Sequence, residues 1–449
     1  MSNHGGRLSE SAHLSVGVRH GFGIGALSIA LANSSVMFFL LKFLLDGAGM
    51  SPATAGWVLL VAKVWDGVID PFVGRMVDNT RTRWGSRRPW IAGATLPFAL
   101  LFSALWWDIP LTGWAQAGVY VLLIMGYSTA YSLISVPYGA LTPALTSDYD
   151  ERTKLNGARM GWSMVGGIVA GVLFPYLLHN YSWTVAGAVL GAAAIVPLLI
   201  TLWATQGRDP VVTPETDESP AMFSVLRVVP FRRTALLFLA GWSSITVLSS
   251  LVPFYVEHHL FNKSLLDYVF AVIQLSALVS IPGVVWLAQR VEKHVAYAIC
   301  FGSWAAVMCA MAAVPPGSGT WVIGIAALTG PGVAAAHVLP WSMLPDVIEA
   351  DRVEFGTDRT GSFYGLMTFL EQCGTAMALW MASQVLGVAG YIPEAVLQPD
   401  SAKLAIRLLI GPVPAVVLVL AAIGALVYPP LTREAHRALV ARLNRSATS

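Results

Sequence analysis

The sequence predicts an all-α membrane protein, with twelve transmembrane helices in two six-helix pseudo-repeats. Three observations lead there. Of 449 residues, 56% are hydrophobic and 12% charged, with a mean hydropathy of +0.65, far from the roughly quarter-charged composition of soluble domains. Apolar runs of about 20 residues, the length that crosses a bilayer as a helix, recur along the whole chain. The runs are continuous rather than alternating, so helices and not a β-barrel satisfy the backbone in lipid.

In order, the runs fall at 21–45, 52–77, 90–109, 112–140, 159–178 and 182–204, then at 234–256, 266–289, 295–313, 319–345, 361–388 and 402–428. Between the sixth and seventh lies QGRDPVVTPETDESPAMFSVLRVVPFRR, polar and rich in proline and acid, which reads as a linker. The expected organisation is a six-helix bundle over 1–205, a cytoplasmic linker over 206–233, a second bundle over 234–428 and a cytoplasmic tail over 429–449.

The halves echo each other. VPYGALTPALTSDYDERT from Val136 resembles LPWSMLPDVIEADRVEFGTDRTG from Leu339. Each is a proline-containing helix end, then an expected acid-rich loop, then arginine, and each closes the fourth helix of its half. Duplicated six-helix halves with substrate held between them near the midplane are the architecture of major-facilitator transporters.

Net charge is only +2, but all of the 27 Lys and Arg except Lys42, Lys63, Lys263, Lys403 and Arg407 fall in the termini and in alternate loops of one side. The positive-inside rule makes that side, with both termini, cytoplasmic. The expected location is the plasma (cell inner) membrane, multi-pass and monomeric, with membrane lipid around it. Positive-inside loops need no nucleic-acid partner. The start, MSNHGGRLSESAHLS, lacks the apolar core and cleavage site of a removable signal. Cys300, Cys309 and Cys373 all lie in expected spans and offer neither a disulfide framework nor metal spacing. No nucleophile, metal cluster or phosphate loop accompanies the spans, and His258 and His259 sit at an outer edge without a further ligand set. An enzyme and a bound cofactor are therefore not expected.

The most informative stretch is KVWDGVIDPF, residues 63–72. At 100° per residue Lys63, Asp66 and Asp70 fall within about a 60° arc. A charge at the bilayer centre costs about 2.5 to 3.5 kcal/mol even on the lenient insertion scale, so three on one face look into a protein cavity. A carboxylate in a cavity alternately wet and dry changes protonation with its surroundings, and two at i and i+4 share a cation. The plainer reading is that Lys63 and Asp66 neutralise each other between helices and that Asp70 anchors the basic loop.

Other spans add polar groups. The fourth carries Tyr127, Tyr131, Ser135 and Tyr138 on one face, suited to stacking and hydrogen bonding with a polyhydroxy or amphipathic ligand, or to helix packing. The eleventh carries Tyr364, Thr368, Glu371 and Thr375, with Gln372 adjacent; Glu371 is the sole acid deep in the C-terminal half. His337, a turn from Trp341, binds ligand, relays protons or is simply hydrogen-bonded. Arg159 opens the fifth span and either reaches inward or obeys the positive-inside rule. The loop DNTRTRWGSRR, with Asp78, Arg83, Arg87 and Arg88, is expected to gate the inner side by pairing across the interface in one state and releasing in the other.

WDGVIDPFVGRMVDNTRTRWGSRRPW, VPYGALTPALTSDYDERTKLNGAR and MLPDVIEADRVEFGTDRTGSFYG together resemble the glycoside-pentoside-hexuronide:cation symporters, the melibiose permease-like group of the major facilitator superfamily. The resemblance spans essentially the whole chain. It implies coupled transport of a small-molecule substrate, a glycoside, pentose, hexuronide or related solute, with H+ or Na+ as coupling ion. Asp66 and Asp70 match the family's second-helix cation-site acids, Arg159 its fifth-helix arginine, and Tyr131 a tyrosine near its binding site. The departures matter equally. Ile69 stands where sodium-using members often carry Asn, and Ser135 where an acid precedes the fourth-helix Val-Pro. With those oxygens lost, the proton is the better coupling ion. Gly139 replaces a sugar-stacking Trp, Gln372 replaces a lysine, and no acid lies between Glu10 and Asp46, so a galactoside is not supported. LPWSMLPDVI is also close to lysophosphatidylcholine symporters, which keeps a lysophospholipid or other amphiphile as the alternative substrate. A non-transporting sensor is the alternative of a different class.

Overall fold

Helices are built and broken where the local chemistry dictates. The computed structural model describes residues 14–146, 149–209, 222–355, 359–395 and 397–427; the termini, the centre of the linker and the Asp78 side chain lie outside them. In the first half run α1 (Val16–Gly23), α2 (Gly25–Lys42), α3 (Pro52–Asp78), α4 (Arg88–Ala104), α5 (Gly113–Leu145), α6 (Tyr149–Asn180) and α7 (Trp183–Ala204). The second half holds α8 (Val229–His258), α9 (Leu265–Arg290), α10 (Lys293–Ala313), α11 (Gly319–Leu328), α12 (Gly330–Phe355), α13 (Thr360–Val388), α14 (Asp400–Ile410) and α15 (Pro412–Val427).

Among the described residues, nine helical segments are long and apolar enough to cross a membrane, α1–α2, α11–α12 and α14–α15 each counting as one broken rod. The more polar α3, the short α4 and α13 stand where the other three spans are expected. Ser51 starts α3 by accepting the Thr54 N–H at 3.3 Å ahead of Pro52, and Ser182 starts α7 by accepting that of Val185 at 3.2 Å. Both residue types suit those positions. The tenth and twelfth spans break at Thr329 and Gly411, before a Gly-Pro and a proline.

The two acid-rich stretches expected as loops are helical over residues 149–153 and 346–355, while 147–148 and 356–358 lie outside the described residues. They form the start of α6 and the end of α12. Their acids find local cations: Arg19 grips Glu151 with two bonds of 2.9 and 3.0 Å, and Arg359 pairs with the buried Asp351.

Packing displays the repeat. In the first half α2 lies on α6, α3 on α5, and α4 on α5 and α7; in the second, α10 lies on α15, and α8 packs with α12 and α13. Between halves α3 packs on α13, α6 on α9, and α2 on α8. These are second span on fifth, fifth on second, and first on first, the contacts a two-fold pseudo-symmetry requires. The first half is filled by aromatics: Trp106 stacks on Trp183 at 6.1 Å, and Phe39 on Phe174 at 4.8 Å. Glycine sets close approaches, as where a Cβ on Gly330 of α12 would lie 2.3 Å from Ser276 Oγ and 2.5 Å from its carbonyl oxygen on α9, the small-residue contact that draws membrane helices together.

Candidate functional site

The polar faces of α3, α5 and α13 meet α2 and α8 around one cleft between the halves. About 1030 Å³ of empty space, the open solvent at its mouth included, lies within it. Volume alone does not separate a sugar from an amphiphile. The lining is layered. Away from the basic loops it is apolar, with Leu40 and Leu41 of α2, Leu59 of α3 and Leu379 of α13. Deeper toward the basic side it becomes charged, with Lys63, Asp66, Asp70, Tyr131, Glu371 and Gln372.

The charged layer is bonded across helices. Lys63 Nζ lies 2.7 Å from Asp66 Oδ2 and 3.5 Å from Gln372 Oε1 on the other half. Ser132 Oγ on α5 donates to Asp70 Oδ1. Trp65 Nε1 donates to Thr129 Oγ1 at 3.0 Å and fixes α3 on α5. Asp66 is thus neutralised by Lys63, whereas Asp70 and Glu371 bring two further carboxylates without a second ammonium in the lining. Tyr127 and Tyr131 stand 6.1 Å apart beside Phe98, and the buried Tyr127 hydroxyl has no hydrogen-bond partner.

Four other sequence-selected residues stand away from the lining. Ser135 is half-buried on α5, one turn past Ser132 and rotated off the cleft face. Arg159 is half-buried in the basic-side part of α6. His337 donates through Nδ1 to the Val333 carbonyl at 2.9 Å and lies against Trp242, 5.2 Å between rings. It therefore backs a cleft-lining ring rather than facing the cleft. Trp341 stacks on Tyr364 and meets Phe238 edge-on. In the expected gate loop, Arg83 is exposed. Arg87 pairs with Asp209 at 3.2 Å, and Asp209 also accepts the backbone N–H groups of Arg87 and Arg88 at 2.7 and 3.0 Å. Arg88 donates to the Leu202 carbonyl at 2.8 Å. These bonds tie the loop to α7 and to the start of the linker.

Sequence reasoning missed Asn33, Ser128, Ser132, Trp242, Thr246 and Ser250 of the lining. A signal for Ser132 existed: it follows Ser128 by one turn on the stripe that holds Tyr127 and Tyr131. With a proton as the coupling ion, Ser132→Ala is expected to lower the half-saturating proton concentration by about tenfold, the size of one charge-assisted hydrogen bond, because a carboxylate that loses a donor holds a proton more tightly, and Ser135→Ala to leave it unchanged. Ion-dependent uptake kinetics check both.

The cleft is closed at one end. Opposite the basic loops the halves are joined by Lys42 to Glu257 at 2.5 Å, by Gln384 to the Ala53 carbonyl at 3.2 Å, by Ser383 to the Pro52 carbonyl, and by Trp57 against Trp380. On the basic side the pairs Arg19–Glu151, Lys293–Asp346 and Arg359–Asp351 each join residues of one half, and Arg87–Asp209 ties the first half to the start of the linker. There a Cβ on Gly74, Gly139 or Gly361 would meet nothing within 4 Å. The open mouth is on the basic side.

Comparison with known proteins bears on this geometry. A family model described as MFS/sugar transport protein matches residues 21–432. An uncharacterized symporter of Synechocystis is 28% identical over 92% of this chain and 94% of its own length. The sodium-dependent lysophosphatidylcholine symporter 1-A of Danio rerio is 26% identical, covering 91% of this chain and 84% of the relative. A glucuronide carrier protein homolog of Escherichia coli is 26% identical over 94% of each. Among solved structures the nucleoside transporter NupG superposes with a TM-score of 0.69 at 14% identity, over 91% of this chain and 99% of that one.

Proposed function

Because the chain belongs to the MFS/sugar transport protein family, we propose that it is a secondary active symporter moving a neutral, sugar-like solute with a proton by alternating access. The carrying observation is the cleft between the halves, where one ammonium, Lys63, faces three carboxylates, Asp66, Asp70 and Glu371. Bare charge is costly in a cleft that must close and dry during the cycle. A cation taken up at Asp70 removes part of that cost, so ion and solute move together. Asp70 and Ser132 offer few oxygens for a sodium ion, and Ile69 adds none, whereas a proton needs one. Sodium is the alternative.

The units that rock are 1–205 and 234–428, tethered by 206–233, with the basic face cytoplasmic and the present conformation open inward. Tyr131, Gln372 and the unpartnered Tyr127 hydroxyl supply hydrogen bonds and stacking surface for a polyhydroxy solute. The excess of carboxylates sets charge preference: neutral glycosides are expected to compete at least about tenfold better than hexuronides, as checked by competition for labelled substrate.

The apolar end of the cleft favours a second reading, an amphiphile whose chain lies against Leu40, Leu41, Leu59 and Leu379, in line with the lysophosphatidylcholine symporters among the relatives. Uptake into proteoliposomes driven by imposed pH or sodium gradients, after a thermal-shift screen of glycosides, pentoses, uronic acids and lysolipids, tests both. Sugar accumulation supports the first reading and lysolipid accumulation the second. Stabilisation by ligand without flux in either gradient points to a sensor and overturns both.

A further inference from the structure

A second polar cluster lies outside the cleft, at the closed end. α2 ends in a π-helical turn, Phe43–Gly47, that swings Asp46 toward the other half. Lys42, 6% exposed, places its ammonium 2.7 Å from Asp46 and 2.5 Å from Glu257 of α8, over the Phe254 ring. The Tyr391 hydroxyl, from the loop after α13, lies 2.8 Å from Asp46 Oδ1, and the Glu394 N–H donates to the same oxygen at 3.3 Å. His258 Nε2 stands 3.2 Å from that hydroxyl, and Lys263 takes the other Glu257 oxygen at 2.6 Å.

Asp46, Glu257 and His258 bring ligand atoms within 4.8 Å of one another, as a metal site would. Yet the Lys42 ammonium already bridges both carboxylates, and with Lys263 the cluster is charge-balanced. The cation of this site is the protein's own.

We propose that Lys42 is the tethered cation of a latch that holds the two halves shut opposite the basic loops, and that opening to that side requires Glu257 and Tyr391 to release Lys42 and Asp46. The inference rests on the alternating-access reading. Lys42 and Asp46 belong to the first half, and Glu257, Tyr391 and Glu394 to the second, so every one of these cross-bonds breaks when the halves part there. Burial, reinforced by the Asp46 carboxylate, holds the Tyr391 hydroxyl far above its ordinary range. It therefore stays a donor to Asp46.

The test reads accessibility. Ala62, a small cleft residue on α3, is replaced by cysteine in a chain carrying Cys300→Ala, Cys309→Ser and Cys373→Ser. A membrane-impermeant charged thiol reagent is then applied from the side opposite the basic loops. Glu257→Gln is expected to raise the labelling rate about tenfold and Tyr391→Phe, which leaves the ion pair intact, about threefold, because each shifts population toward the state open to that side. Unchanged labelling in Tyr391→Phe and in any folded Glu257→Gln protein overturns the latch. Gradient-driven uptake by the unsubstituted chain is measured separately, so loss of the transport reading is told apart from loss of the latch.

Discussion

Asp70→Asn in proteoliposomes reduces accumulation under a ~100 mV potential, at equal pH on the two sides, from about fifty-fold to unity, while downhill equilibration of the same solute persists. One charge moved through ~100 mV supplies about 2.3 kcal/mol, which sets the fifty-fold ceiling. Asparagine keeps the shape of the side chain and still bonds Ser132, but it neither takes up a proton nor carries one across. The solute site on Tyr131 and Gln372 is left in place, so flux survives and coupling does not. Asp66→Asn is expected to be more severe, because it strips Lys63 of its 2.7 Å partner and turns the ammonium toward Asp70 and Glu371, which share the cleft; both coupling and binding fall. Uphill uptake retained by Asp70→Asn would remove this residue from the coupling role.

Gly330→Val abolishes the folded protein in detergent or lowers its melting temperature by about 3 °C or more, with no cleft residue touched. The added Cβ would stand 2.5 Å from both the carbonyl carbon and the carbonyl oxygen of Ser276. Those are backbone atoms of α9 that no rotamer change moves aside. Overpacking of this kind costs about 1 to 3 kcal/mol or more, and here it also forces α12 away from α9 across the second half. Gly74→Ala, whose Cβ meets nothing within 4 Å, is the matched control and is expected to fold normally. Fluorescence-detected gel filtration after heating compares the two. A Gly330→Val protein as heat-stable as the control would show that α9 and α12 have room to separate.

The spans, the repeat and the charged face of α3 were legible because each rests on composition or a local period. Asp66 and Asp70 stand out in an apolar run whatever the fold, and Lys63 pairs with Asp66 as their spacing implies. The α5 face was harder to read. Ser132 and Ser135 differ by 60° on a helix, and only the packing of α5 on α3 decides which serine meets Asp70. His337 shows the same limit: its chemistry invites a ligand, but the ring of Trp242 from α8 lies against it, and no local pattern reports a partner nearly a hundred residues away. The closed-end cluster was missed for the same reason. Lys42, Asp46, Glu257 and Tyr391 come from three segments of the chain, and Lys42 and Glu257 read singly as snorkelling residues at span ends. The two stretches after the fourth helix of each half were expected as loops because acid and arginine dominate them, but intra-half ion pairs let α6 and α12 reach into them.

The order of the layers in the cleft has a consequence for the return stroke. A solute resting against the apolar ceiling leaves toward the open mouth past Asp70 and Glu371, and once it has gone those carboxylates face water. Closing over them with nothing aboard drags naked charge into a dry interior, the costliest conformation in the cycle. On the proposed alternating-access reading the empty carrier is therefore slow to return, and counterflow is expected to outrun net efflux.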